Sequence, residues 1–460
     1  MEKIIRYINA HRQRYIDELI DIVKIPSISS SREHTPHVRR CAEVLKEHML
    51  RAGLRRARIM PTPGHPVVYG EWVEAPGKPT VLIYGHYDVQ PVEPLEAWIT
   101  PPFQPEIRHG ELYGRGTVDD KGQLYIHLKA VEAWLQNEGR LPVNVKFIAE
   151  GEEEIGSLHL EEFLRQHKDL LRADVVIISD TPMLDRGIPS ICYGLRGLTY
   201  MEIEVQGPTT DLHSGSFGGI VANPANVLCE IIARLKDERG RVTIPGFYDK
   251  VVPISEQERQ NLARLPFDEQ AYFQLTGAPA PFGEEGFTML ERLWARPTLD
   301  VNGLVSGHTG EGEKTIIPAR ALAKVSMRLV PNQDPDEIAG LFEDYVRRIA
   351  PPTVRVTVRK CSTGVGFLAS YEHPAFQAAI RALEKGFGRQ AVFIREGGSI
   401  PFVGTIYGIL QRPCILLGFG LPDENSHAPN EKLNLENYHQ GIISCAYLYQ
   451  ELADVDFQST

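Results

Sequence analysis

Thr80-Val81-Leu82-Ile83-Tyr84-Gly85-His86-Tyr87-Asp88-Val89 is the stretch on which the fold turns. Its first five residues, rich in β-branched and aromatic types, predict a buried strand that Gly85 breaks. Just past the break stand His86 and Asp88, two side chains that handle metals and protons, with one residue between them. In open α/β sheets, ligands bind outside the carboxyl ends of the strands. The pair is therefore either a ligand with the group that orients it or a decorated turn, and the rest of the chain decides.

Three more stretches repeat the pattern. Residues 143–149 predict a strand that runs into Glu150-Gly151-Glu152-Glu153-Glu154. Residues 173–178, almost wholly apolar, precede Ser179-Asp180. Cys414-Ile415-Leu416-Leu417-Gly418 precedes the polar loop 423–431, which carries His427. Between the first two strands a glycine-punctuated loop, 112–122, brings Asp119 and Asp120 to the start of a helix carrying Leu124, Leu128, Val131 and Leu135. Upstream, helical spacing covers the segment to Val23, and Val38, Cys41, Ala42, Leu45 and Met49 recur at helical intervals before a capping Gly53. Strands alternating with helices predict an α/β domain, a mostly parallel sheet with helices on both faces and a site along one edge.

The pattern changes near Gly197. Met201, Ile203 and Val205 alternate with Glu202 and Glu204, as in a sheet with one wet face. The alternation returns at Ala323, Val325, Met327 and Leu329, and at Val354, Val356 and Val358. Helices start at Asn223-Pro224 and at Asp334-Pro335-Asp336-Glu337, where Glu337 is placed to close a capping box. Residues 245–300 predict an elaboration. The expectation is an inserted α+β domain at 197–370, with 1–196 and 371–460 together forming the other domain.

At 460 residues, two domains are expected. A formal net charge of −11 argues against a nucleic-acid partner. No run reaches the roughly 18 apolar residues of a membrane span, and residues 1–19 lack the apolar core of a secretion signal. Six scattered cysteines without a C-x-x-C pair predict buried, reduced thiols and a cytoplasmic location.

Collected at strand ends, Asp88, Asp119, Asp120, Glu153, Glu154 and Asp180 bring six carboxylates together with the imidazoles of His86 and His427. Such acids raise one another's pKa unless cations compensate them. Mixed nitrogen and oxygen donors suit Zn²⁺ or Mn²⁺ better than Ca²⁺ or Mg²⁺.

Through Gly85-His86-Tyr87-Asp88, Gly114–Gly122, Glu150–Ser157, Ser179-Asp180 and Asn425-Ser426-His427-Ala428-Pro429, the chain resembles the M20 metallopeptidases, and within them the carnosinase-like dipeptidases. Asp211-Leu212-His213-Ser214-Gly215, Lys314–Pro318 and Arg328–Pro331 extend the resemblance through the inserted domain. The resemblance implies a two-metal site. Asp119 would bridge the ions beside a cis peptide to Asp120. His86 and Asp180 would complete one ion's ligands, and Glu154 and His427 the other's. It also implies Glu153 as general base, with Glu152 the alternative if the register slips by one. Asp88 would orient His86, and His213 would stabilise an oxyanion across a homodimer. The inserted domain would then serve as lid and dimerisation domain.

Other residues support weaker expectations. Arg328 is a solvated cation or a fork for a substrate carboxylate. Gly398 and Ser399 lie in a glycine-rich turn that could offer backbone donors to substrate. Asn302, Thr315 and His373 are candidates of lower specificity, and His127 is expected to be packing alone. The expected function is metal-dependent cleavage of the amide bond of dipeptides or short peptides. Alternatives are an N-acyl amino acid deacylase or carbamoylase with the same metals, or a non-catalytic binding protein on this fold. No Gly-x-Ser-x-Gly elbow supports a serine hydrolase.

Overall fold

A computed structural model describes residues 1–274 and 276–457. The chain divides into two compact units, one made of Met1–Tyr193, Ala369–Ile394 and the chain from Thr405 onward, the other of Gly194–Leu368 and Arg395–Gly404. The boundaries thus fall three and two residues from 196 and 370, and Arg395–Gly404 joins the second unit rather than the first. Hydrogen bonds explain this return: Arg196 Nε donates to the Gly397 carbonyl at 2.8 Å, and Arg328 Nη1 donates to Ser399 Oγ at 2.7 Å.

In the first unit, the sheet runs from one edge through Arg56–Met60, Val67–Trp72, Asn144–Glu150, Thr80–His86, Val175–Ile178, Cys414–Leu416 and Ser190–Leu195. The four strands Asn144–Glu150, Thr80–His86, Val175–Ile178 and Cys414–Leu416 are parallel, with Tyr84 opposite both Ile148 and Ile178. The flanking strands are antiparallel. Strand Val67–Trp72 is buried at every position, so it offers none of the in–out alternation from which a strand is read, and sequence reasoning passed over its hairpin.

Helix Lys121–Glu138 departs from the expected amphipathic pattern. Every residue from Lys121 to Trp134 is buried, because the sheet lies on one side and helices Glu2–Ala10, Arg12–Val23 and Leu435–Leu452 pack around the rest. Its charged residues survive by pairing: Lys129 reaches Glu132 at 3.1 Å and also bonds Glu18. Gly85 is needed at the strand end, since a Cβ there would meet Asp120 Oδ2 at 2.8 Å.

The second unit has a four-stranded antiparallel sheet, in the order Thr298–Ser306, Arg320–Leu329, Gly197–Gln206, Arg355–Gly364. Helices Pro224–Ala233 and Pro335–Ile349 pack against it through Leu228, Ile231, Ile338, Phe342 and Val346. The Asp334 carboxylate caps its helix by accepting from the Asp336 and Glu337 amides at 2.9 Å. Glu337 does not close the expected box, because its carboxylate pairs with Lys250 instead. Among its described residues, the 245–300 stretch contains three short helices and ends at the edge strand Thr298–Ser306, which the sequence reading had folded into the elaboration. None of the six cysteines forms a disulfide, but Cys229 and Cys361 are exposed rather than buried. Among the described residues, no helix is long and apolar enough to cross a membrane.

Candidate metal centre

Each expected ligand stands just beyond the carboxyl end of a central strand or on the loop beside it. His86 closes strand Thr80–His86, and Asp180 lies two residues past Val175–Ile178. Glu154 sits in the turn Glu153–Ile155 after Asn144–Glu150, and Asp119 and His427 come from the loops before Lys121–Glu138 and after Cys414–Leu416. Asp119 and Asp120 are joined by a cis peptide.

The donors fall into two groups that share one residue: His86, Asp119 and Asp180, and Asp119, Glu154 and His427. Within each group the candidate ligand atoms lie within 4.8 Å of one another. His86 Nε2 is 3.1 Å from Asp119 Oδ1 and 3.8 Å from Asp180 Oδ1. His427 Nε2 is 2.9 Å from Asp119 Oδ2 and 3.2 Å from Glu154 Oε2. The two oxygens of Asp119 thus face different imidazoles, which is the disposition a carboxylate needs to serve two cations at once.

Electrostatics agree with that chemistry. Burial, followed by the charge of Asp119, pushes Glu154 up to about 7. Burial likewise raises Asp180, and with the Asp180 charge it raises Asp120 well above the carboxylate range. Hydrogen bonds to Asp119 and Glu154 raise His427 to about 11. Burial would lower His86, yet its contacts with Asp119, Asp180 and Asp88 hold it well above the usual imidazole range. Burial works against the charge on Asp119, but its hydrogen bonds to His427 and His86 hold it well below the usual carboxylate range. One ionised carboxylate between two imidazoles, with acids forced up by burial around it, forms a donor set that fits divalent cations.

The three glutamates of the turn differ in their surroundings. Glu152 is pinned, its oxygens accepting from the His65 amide at 3.0 Å and lying 2.7 Å from His159 Nδ1. Glu154 faces His427 and accepts from Gln90 Nε2 at 2.7 Å. Among the described residues, the Glu153 carboxylate makes no hydrogen bond, and burial raises its pKa well above the usual range. Asp88 was expected to orient His86 with its carboxylate. His86 Nδ1 instead lies 3.1 Å from the Asp88 carbonyl, with the carboxylate at 3.5 Å. That carboxylate accepts from the amides of Glu153 and Glu154, at 3.3 and 3.1 Å. Asp88 therefore holds the turn as well as the ring.

His127, expected only to pack, bridges Tyr449 and Ser179: its Nε2 is 2.7 Å from Ser179 Oγ, next to Asp180. His373 caps helix Pro374–Phe387 by accepting from the Ala375 amide at 3.1 Å.

In the second unit, His213 pairs with Ile316 in a two-stranded ribbon and is exposed. Its Nδ1 accepts from the Gly215 and Ser216 amides at 3.0 and 3.2 Å, which assigns the ring proton to Nε2. The Thr315 carbonyl accepts from the Ser214 amide. Asn302 is the extra residue of a β-bulge between Val301 and Gly303, a device that redirects a side chain. Arg328 is partly buried on Ser399. In the glycine-rich turn, the Gly398 amide donates to Glu396 Oε1 at 3.2 Å, as the Gly397 amide does at 2.7 Å. Sequence reasoning also missed Gln90, although it follows His86 and Asp88 on the same loop.

Known proteins agree with this architecture. The signature of Peptidase family M20/M25/M40 matches residues 82–451. The Cys-Gly metallodipeptidase of Schizosaccharomyces pombe is 33% identical over 99% of this chain and 99% of its own length. The crystal structure of human carnosine dipeptidase 1 superposes with a TM-score of 0.86 at 31% identity, covering 99% of both chains. A metallo-carboxypeptidase of the same family from Sulfolobus solfataricus gives 0.86 at 34% identity, over 96% of this chain and 99% of its own. The chain belongs to peptidase family M20/M25/M40, in the group of metal-dependent dipeptidases that match it end to end.

Proposed function

We propose that the chain hydrolyses the peptide bond of dipeptides, using two divalent cations, Zn²⁺ or Mn²⁺, held by His86, Asp119, Glu154, Asp180 and His427. The observation that carries this is the pair of three-residue donor groups sharing Asp119, with the unbonded Glu153 carboxylate on the same turn as Glu154. Cations bound there would lower the pKa of a water towards neutrality and polarise the scissile carbonyl.

The chain's own residues supply the rest. Glu153, made basic by burial, takes the proton of the attacking water and delivers it to the leaving amine nitrogen as the C–N bond breaks. Asp88 keeps Glu153 and Glu154 apart in role by fixing both amides of the turn. The second unit acts as a lid and dimerisation domain. There Arg328, steadied by Ser399, offers its guanidinium to the substrate carboxylate, with Thr315 and Asn302 as further contacts. His213, with its proton on Nε2 and its ring exposed, donates to the oxyanion in the active site of the partner subunit of a homodimer. Six cysteines without a disulfide support a reducing, cytoplasmic location.

The test is a panel of dipeptides beside their N-acetylated forms, with protein reconstituted in Zn²⁺ or Mn²⁺. Cleavage confined to the free-amine peptides is expected. Preference for the acetylated forms would make the chain a deacylase, and silence on both with metal bound would make it a binding protein.

A further inference from the structure

We infer that Glu431 is the positioning residue that locks the bridging Asp119 to the loop carrying His427. The inference rests on the two-cation reading above. Glu431 is fully buried and its carboxylate accepts four hydrogen bonds. Oε2 takes the Gly116 amide at 2.9 Å and Arg115 Nη1 at 2.8 Å. Oε1 takes the Val118 amide at 3.0 Å and the amide of Asp119 itself at 3.2 Å. The Glu431 carbonyl adds a fifth link, accepting from the Gly114 amide at 2.9 Å. One residue thus gathers the backbone from 114 to 119.

The other end of the clamp explains why it is needed. His427 lies four residues before Glu431, in a loop where Asn425, His427 and Asn430 all adopt left-handed backbone, with φ of 56°, 63° and 63°. Non-glycine residues disfavour that region, and Asn and His are among those that tolerate it best. Such a loop does not hold its shape by local preference. Asn430 ties it to the Ile99 amide and the Ala97 carbonyl, and its end is held by Glu431 and by the Lys432–Asn434 strand, which pairs with Glu111–Tyr113 just before the 114–119 loop. Asp119 and His427, the members of one donor group that come from distant parts of the chain, are thus tied by a carboxylate that lies four residues beyond one and bonds the amide of the other.

Glu431→Gln keeps the shape but replaces one acceptor oxygen with an NH₂ that faces donors, so only one pair of hydrogen bonds can survive. The measurement is zinc binding to metal-stripped protein, by equilibrium dialysis with metal analysis, beside the melting temperature. Wild-type protein should bind two ions. Glu431→Gln should remain folded and bind one of them about tenfold or more weakly, the usual effect of disturbing a group that orients a ligand. Glu424→Gln is the control. That acid is also buried in the loop and accepts from the Leu421 and Asn434 amides at 2.7 and 2.5 Å, but it touches no donor residue. It should lower the melting temperature and leave both ions bound as in wild type. If Glu431→Gln does not fold, Glu431→Asp carries the test, with the charge kept, the reach shortened and the same ion weakened. Two ions at wild-type affinity in either folded Glu431 variant, or equal weakening in the Glu424 control, would overturn the inference while leaving the two-cation reading intact. Wild-type protein that takes up fewer than two ions would overturn both.

Discussion

In the first unit, His86, Asp119, Glu154 and Asp180 are buried or partly buried and already face one another within hydrogen-bonding or near-contact distance. In the second, His213, Thr315 and Asn302 are exposed and bonded only to their own neighbourhood or not at all. One unit carries a candidate centre assembled by folding alone, with Asp119, Asp180 and Glu154 each facing an imidazole and the Glu153 carboxylate left unbonded beside them. The other offers donors that gain meaning only when something else meets them. Removing a group from the first unit should therefore abolish chemistry, whereas removing one from the second should weaken it.

The largest effect should come from Glu153→Gln. It is expected to retain metal while kcat falls by about 10²–10⁴, the range for removal of a general base. A metal-loaded variant with near-normal turnover would erase the distinction between Glu153 and its neighbours in the turn. His213→Ala should follow, with kcat reduced by about 10²–10³ and metal content unchanged, as for loss of an oxyanion donor. Loss of metal would instead tie this histidine to the reaction centre. Arg328→Ala should act mainly on KM, raising it by about ten- to a hundredfold for loss of a charged hydrogen bond to substrate. A pure kcat effect would contradict a binding role.

The smallest effect is on stability and belongs to the first unit alone. Burial depresses His48 to about 4 and His127 to about 3, so both fold as neutral rings. Above about pH 6.5 neither state protonates them, and they contribute no pH dependence. As pH falls from about 6.5 towards 4, the unfolded chain takes up protons that the folded chain refuses, and stability drops. The raised acids and the raised His86 and His427 of the metal-free centre act in the opposite sense, so the contribution is read as a difference: relative to wild type, the melting temperature of His48→Gln should rise as pH falls from about 6.5 to 4. A slope unchanged in that variant would remove His48 from the account.

The comparison also separates what the sequence made legible from what it hid. His86, Glu154 and Asp180 were visible because each lies at or just past a strand end, and Asp119 because it lies in a glycine-punctuated loop; His427, eleven residues past its strand, was marked by the resemblance of its loop to the M20 motif. The groups that hold them were not. Gln90, Glu431 and the carboxylate of Asp88 work through backbone amides, which every residue possesses and no pattern marks. The same holds for Gly398, whose amide bonds Glu396, two residues away. His127 looked like packing because a buried histidine on a helix has no signature until Ser179 is found against it.

The central claim is that Asp119 is shared by two cations, and anomalous diffraction at the zinc edge from zinc-loaded crystals tests it most directly. The account predicts two peaks in the first unit, one among His86, Asp119 and Asp180 and one among Asp119, Glu154 and His427. A single peak, or a pair that leaves one Asp119 oxygen without a metal, would contradict it.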